Sequence, residues 1–598
     1  MDGKKTLALL MSGLLSLPWA VPAQSAEFCV NDAVTLQAAL DTAGSNGEND
    51  TIRLVQGIYG GSFSFYAVEG YAITLLGGYG PGCGSRVIDP SNTALDGGGS
   101  VRPLLLSYEL GFGCGDIVLE GITFRNGDSG TEYGGGLYAN AYCPSDPGSA
   151  FTVNKCAFIN NVSLRGGAAY LLSQSGAGTS RDITITGNTV TGNTGNDGYG
   201  GIYVSSEAYW GASSGDITVS KNTFSGNVGR KEVGAIGVYT YSETAAAGRI
   251  IFTENASIGN SSYGNAGGVY ASSSSSSGVI GDVTVSGNTV RKNTNYEGEG
   301  GGIYVYVQGD SATSGGNIRL EKNIIPGNTS YSDGGGVYVN ISTDTGASGE
   351  VNLVENVVSG NYAFDYGGGV YIESVCYSTG NLGTVKLSSN IIQDNGVYES
   401  YGGIYVDSYS SSCAAADVRL VNNMIVKNKV SKEGTGGLYV YSGTESGTPG
   451  DITLTNNTIA ENTAVSGPGG AKFYLKDNTL KVYNNIIWGN KASSTPADVS
   501  FYSNGNPITA NGYSNLVSAV VETWTNSGDN IDADPLFVNA VGGDYHIHEI
   551  SPCRNAGLAA APEAPKKDFE GELRSRVDIG ADEYPQASLS GIILLLFD

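Results

Sequence analysis

The chain repeats itself, and the repeat limits what it can fold into. The phrase DITITGNTVTGN, residues 182–193, returns with variations about a dozen times. The residues ahead of each first apolar pair are Asp116, Ala150, Asp182, Asp216, Arg249, Asp282, Asn317, Glu350, Thr384, Asp417, Asp451 and Thr479. Their spacing is 32 to 35 residues, closing with one of 28. A unit this short cannot bury its own apolar face, so successive units must stack into a solenoid. A period near 33 also suits ankyrin and tetratricopeptide arrays, but those are helical. Here the apolar residues recur two apart, as in Ile183 and Ile185, Val283 and Val285, or Val418 and Leu420, with glycines between the runs. Period two means strands.

Two asparagine columns run through the repeats. One lies six residues after most origins, from Asn188, Asn222 and Asn255 through Asn323 and Asn356 to Asn485; the other lies eleven after, from Asn161 and Asn193 through Asn328 and Asn361 to Asn490. Asparagine tolerates the left-handed backbone of a sharp corner, and its amide can bond its own turn. With coils about 4.8 Å apart, each amide can also bond those above and below it. The reading is an all-β parallel β-helix (β-solenoid) of about 33-residue coils with three short strands each. Roughly fourteen such coils give a rod of about 65 to 70 Å. Cys156 stands in the first column's place and should be buried. Leucines are too sparse for a leucine-rich repeat. Val34, Leu36, Ala39, Leu40 and Ala43 fall near helical spacing, so a short helix should cover the N-terminal edge.

The ends read differently from the middle. Lys4 and Lys5, a mostly apolar run from Leu7 to Ala20 and small residues to Ala26 have the order of a secretory signal peptide, residues 1–25. Residues 26–115 should hold the cap and first coils, 116–490 the regular repeats, 491–584 an irregular C-terminal cap and 585–598 an apolar tail. No other segment approaches the roughly 20 apolar residues of a membrane span. Eight cysteines suit an oxidising compartment. Cys376 and Cys413 occupy corresponding loops of successive repeats, as do Cys114 and Cys143. Cys29 and Cys83 share the N-terminal segment. Those three pairs are the expected disulfides, leaving Cys156 and Cys553 as thiols. A net charge of −26 excludes nucleic acid, whose affinity comes from Lys and Arg on phosphates.

Phrases such as GNTVTGN and GGIYV are similar to the repeats of chlamydial polymorphic outer-membrane proteins. The whole resembles a bacterial secreted right-handed parallel β-helix protein of the pectin-lyase-like superfamily. The run NIIWGN, DPLFVN, DYHIHEISPCRNAG and VDIGADEY resembles the end segment of proteins with a choice-of-anchor Q domain. The resemblance implies a right-handed coil and an extracellular or cell-surface location. It leaves activity open, because this fold carries many functions.

Three surface columns carry the candidate chemistry. Tyr138, Tyr170, Tyr203, Tyr239, Tyr270, Tyr304, Tyr338, Tyr371, Tyr405, Tyr439 and Tyr474 should face outward in one column, with Tyr304, Tyr338, Tyr371, Tyr405 and Tyr439 as glycan-binding candidates. Ahead of them run Glu132, Asp197, Glu232, Glu297, Asp333, Asp365, Glu399 and Glu433. Their mutual repulsion invites cations, and calcium, which prefers oxygen ligands, is the metal expected at Asp333, Asp365, Glu399 and Glu433. Arg319, Lys386 and Arg419, with Lys322 nearby, form a basic stripe suited to an acidic glycan. The only histidines, His546 and His548, lie away from the coils, and no compact acid–base pair emerges. The expectation is an exported, non-enzymatic rod, an adhesin binding an extracellular polysaccharide or cell-surface glycan. The alternatives are a calcium-assisted lyase of acidic polysaccharide and a purely structural surface protein.

Overall fold

The computed structural model describes residues 25–108, 113–145, 147–311, 314–493, 498–503, 509–520 and 522–584. All of the expected leader except Ser25, and all of the tail 585–598, lie outside the described residues. The chain is a parallel β-solenoid of about 13 coils. Its strands form four long sheets, of 17, 15, 11 and 14 members in the order each coil visits them. A regular coil contributes Val351–Val354 to the first, Val357–Ser359 to the second, Tyr362–Ala363 to the third and Val370–Asn381 to the fourth. Four strands per coil replace the expected three. The additional one is two residues long, too short to show alternation in sequence.

Register sets apolar residues opposite apolar residues. Val351 lies opposite Val385 and Leu353 opposite Leu387, and Val385 in turn opposite Val418. Every second residue therefore enters one continuous core of valine, isoleucine and leucine. Each fully buried side chain of this kind stabilises by about 1.5–3 kcal/mol.

The asparagines line the inside of the corners. Asn323 donates its backbone N–H and its Nδ2 to Oδ1 of Asn356, at 3.0 and 2.9 Å, and a second Nδ2 hydrogen to the Val285 carbonyl at 2.8 Å. Asn288 donates to Asn323 in the same way. This first ladder begins where Cys156 N–H donates to Asn188 and continues past Asn485 to Asn515 and Asn530. The second runs from Asn161 to Asn490 and ends on the Asp498 carboxylate.

The left-handed residue is not the ladder asparagine, as the sequence suggested, but the one before it. Lys221, Glu254, Lys322 and Glu355 hold φ between 54° and 58°. The turn that reverses the chain places this residue outside, so any side chain serves there. The following residue points inward, and only asparagine carries both the acceptor and the donors that the buried corner requires. The Gly pair of most repeats crosses directly over the second ladder, with Ala168 and Ala235 standing in the second place in two coils. A Cβ at Gly336 would sit 2.7 Å from the Gly369 carbonyl and 2.9 Å from Asn361 Nδ2.

Both ends are covered. The helix Ala33–Ala43 starts with a capping box between Asp32 and Thr35 and buries Leu36, Ala39, Leu40 and Ala43 against the first coil. At the far end Trp524 lies 5.0 Å from Phe501, centroid to centroid, over the last strands. Residues 532–584 take another course and run back along the outside of the last coils. The left-handed residues there have become asparagines, and these hold the segment. Asn422 Nδ2 donates to Lys567, Asn456 to Asp578 and Asn484 to Leu558, all at backbone carbonyls. Beneath the segment a buried Arg574 pairs with Glu583 at 3.1 Å and donates to Asn422 and the Ala581 carbonyl. The three expected disulfides are present, and Cys156 and Cys553 are buried thiols. Burial pushes both thiols up to about 12.

Ladder and corner roles separate by mutation. Asn323→Ala strands buried partners in two neighbouring coils and should cost about 1–3 kcal/mol in urea unfolding. Lys322→Gly relieves left-handed strain and should cost nothing or stabilise by up to about 1 kcal/mol. Equal losses from both would contradict this division.

Candidate functional site

The fourth sheet's strands are the longest of each regular coil, and their outer face carries several side-chain columns. In the first, Tyr138, Tyr170 and Tyr203 stand opposite one another, Gly237 breaks the line, and Tyr270, Tyr304, Tyr338, Tyr371, Tyr405 and Tyr439 resume it. Lys472 follows Tyr439. Tyr239 and Tyr474, expected in this column, belong to the next one. A slip of two residues keeps a side chain on the same face, so alternation alone cannot detect it.

The column is a packed wall. Tyr371 stacks on Tyr405 at 4.5 Å, and Tyr401 stacks on Tyr439 at 4.0 Å from outside. Tyr304, Tyr338, Tyr371 and Tyr439 are buried and Tyr405 is half-buried. Burial, with nearby carboxylates second, raises the Tyr338 and Tyr371 hydroxyls.

The neighbouring column holds Tyr306, Asn340, Glu373, Asp407, Tyr441, Tyr474 and Tyr502. Here two carboxylates stand opposite each other in successive coils. Glu373 accepts from the Tyr338 hydroxyl at 2.7 Å and from Asn340 Nδ2 at 2.5 Å. Asp407 accepts from the Tyr405 hydroxyl at 2.9 Å. Burial lifts Asp407 to about 6, the Tyr405 bond opposes that, and Glu373 adds to it. The second oxygen of Asp407 and the amide oxygen of Asn340 are buried and have no partner among the described residues. Glu373 and Asp407 open into a cleft of about 430 Å³ walled by Tyr377, Tyr405, Tyr409 and Tyr441. The sequence reading missed this cleft. Its signal was there in the residue two beyond each column tyrosine, glutamate in VYIES and aspartate in IYVDS.

The acidic column survives in part. Asp333 is lifted to about 7 by burial first, then by Asp365 and Glu299. Asp365 is raised by burial and then by Glu399. Glu433 falls out of line: the ladder sets it opposite Ser400, and Lys432 takes the place beside Glu399, bonding both its oxygens at 2.7 Å. Among the described residues, no three His, Cys, Asp or Glu side chains come together as a metal site.

Arg319, Lys386 and Arg419 do share a column, with Asn352 between the first two. Carboxylates already engage them. Arg319 and Lys322 contact Glu321, Lys322 also reaches Glu355, and Lys386 and Arg419 both contact Glu563 of the returning C-terminal segment. His546 is held between Glu570 and Asp544; the Glu570 contact first, with Asp582 and Asp544 after it, raises its pKa to about 10 against the opposing effect of burial. No helix among the described residues is long and apolar enough to cross a membrane. Neither a protein-family model nor a curated protein matches this sequence.

The raised carboxyls make stability depend on pH. Asp333 and Asp407 start from about 3.8 unfolded and reach about 7 and 6 folded, so between those values each takes up a proton on folding. Their contribution is full below pH 3.8 and is lost as pH rises through those folded values. The double variant Asp333→Asn, Asp407→Asn should melt higher than the parent at about pH 8 and converge with it near pH 4. A melting difference that does not change with pH would contradict the assignment.

Proposed function

We propose that this protein is an exported, non-catalytic rod that binds carbohydrate on its tyrosine face, with the Glu373–Asp407 cleft as the principal subsite. The observation that carries the reading is the cleft itself. It combines ring surfaces with carboxylate oxygens that, among the described residues, no cation neutralises, and one of those oxygens, on Asp407, has no partner among them. Sugars present the complementary surface, hydroxyl donors around an apolar ring, and a buried acceptor without a partner calls for such a donor. The two facing carboxylates and the net charge of −26 favour neutral or amine-bearing sugars over acidic ones.

Export is supported by three disulfides together with the leader-like order of the first 25 residues. On this reading the chain is a surface or extracellular member of the pectin-lyase-like superfamily, its C-terminal segment is of the choice-of-anchor Q type, and its role is adhesion to a glycan-coated surface. A lyase acting on acidic polysaccharide would need a free base, and the basic stripe is occupied by carboxylates.

A glycan array, followed by titration calorimetry on the sugars it selects, tests the proposal. Asp407→Asn and Tyr409→Ala should each weaken the selected sugar by roughly three- to tenfold, the equivalent of one polar or aromatic contact. Their melting temperatures at pH 5 should stay within a few degrees of the parent. Undiminished binding in both folded variants would place the ligand elsewhere.

A further inference from the structure

A second aromatic column runs outside the third sheet, at a position the sequence analysis did not single out. Tyr263, Tyr296, Tyr331, Phe364 and Tyr398 supply one ring from each of five consecutive coils. Ladder bonds align them: the amide of Tyr296 donates to Ser262, Tyr331 to Asn295, Phe364 to Ser330 and Tyr398 to Ala363. In parallel strands each such bond sets a residue opposite the one that follows its acceptor. These rings are 38–52% exposed, whereas Tyr304, Tyr338 and Tyr371 of the inner wall are only 6–9% exposed. Neighbouring rings stack at 4.8 Å for Tyr263 and Tyr296, 5.6 Å for Tyr296 and Tyr331, and 5.0 Å for Phe364 and Tyr398. Solvent therefore meets a row of ring edges and tyrosine hydroxyls.

The Tyr263 coil has Asn265, and one or two residues beyond the other four rings, Tyr296, Tyr331, Phe364 and Tyr398, the chain places Glu297, Asp333, Asp365 and Glu399. Only the last has a cationic partner among the described residues, and that partner shows how the surface is filled. Lys432 Nζ lies 2.7 Å from each Glu399 oxygen and 5.8 Å from the centre of the Tyr398 ring. An ammonium thus sits against an aromatic of the column and the carboxylate that follows it, within cation–π range. In the preceding coils the position equivalent to Lys432 is itself acidic. Glu399 stands opposite Asp365, and Asp365 opposite Asp333. Several ring-and-carboxylate notches in a row therefore repel one another without the ammonium that completes the last.

We propose that this stripe, from Tyr263 to Tyr398, binds an amine-bearing polysaccharide whose ammonium groups take, coil after coil, the place that Lys432 takes at its end. The proposal rests on the carbohydrate-binding reading above and assigns that reading a sugar class. A polymer of amino sugars fits better than a lysine-rich peptide on entropy. An amine fixed to a sugar ring has no side-chain rotamers to lose, whereas each bound lysine immobilises one of the most flexible side chains. Sugar hydroxyls also match the tyrosine hydroxyls along the stripe, which a lysine stem does not.

The test compares a glucosamine hexamer, its fully N-acetylated counterpart and a lysine hexapeptide by calorimetry on the full chain, at low and high salt. The free-amine sugar should bind about tenfold tighter than the acetylated one, the summed effect of a few exposed cation–π and ion-pair contacts, and salt should erase most of that preference. Asp365→Asn with Glu399→Gln should reduce the preference to about twofold or less. Lys432→Ala vacates one more notch and should strengthen binding of the free-amine sugar, a gain that misfolding could not produce. Equal affinity for the two sugars would overturn this inference and leave the carbohydrate reading intact. Binding of neither would overturn this inference too, while the glycan array decides the carbohydrate reading separately. A tighter grip on the lysine peptide would show the partner to be a polypeptide, and weaker binding by Lys432→Ala would show that the notch does not receive ammonium groups.

Discussion

The structure depends on one repeated interaction, the bond from an asparagine amide to the asparagine one coil away. A solenoid corner turns the backbone so sharply that its polar groups leave the strand ladder and point into the core. Leaving each unpaired would cost about 1–3 kcal/mol. Asn323 meets the requirement with a single side chain, since its oxygen accepts from the previous coil while its amide donates to the next coil and to a carbonyl. Because every asparagine serves the coils on both sides, register propagates along the rod. A slip at one corner would break bonds at its neighbours.

That fixed register generates the surface. Once each coil repeats the last, any side chain that recurs at one place becomes a column. The inner tyrosines pack on each other as a wall. The next column brings Glu373 and Asp407 into opposition, and a third sheet too short to detect in the sequence aligns Tyr263 to Tyr398. Like charges are stacked by the same rule: Asp333 and Asp365 are pushed up by burial first and by the next carboxylate of the stack second, while Lys432 pairs with Glu399. The acidic stacks oppose folding at neutral pH, and the ladders offset them.

The features that are periodic were legible in the sequence. Asparagine columns, alternating apolar residues and the two cysteine pairs in corresponding loops announce themselves by recurrence, and Cys156 is legible because it fills a column position. What depends on single-residue offsets was not legible. Lys322 gives no hint that it bears the left-handed turn, since an exposed left-handed residue can be of many types. Tyr239 and Tyr474 were misplaced because a two-residue slip preserves the pattern, and Glu433 because one extra residue separates it from its predecessors' line. Asn515 and Asn530 extend the first ladder across spacings of 30 and 15 residues, which no constant period would find. The path of residues 532–584 rests on Asn422, Asn456 and Asn484, three asparagines that look like any others in this chain.

The central claim is that the two ladders are the least yielding part of the fold. Native-state hydrogen exchange followed by NMR reads it directly, through the backbone N–H and the side-chain amide of Asn323, Asn328, Asn356 and Asn361. Those protons should exchange only through global unfolding, with protection equal to that of core residues such as Val351 and Leu353. Exchange of the ladder amides at the rate of surface loops, while the strand interiors stay protected, would contradict the account.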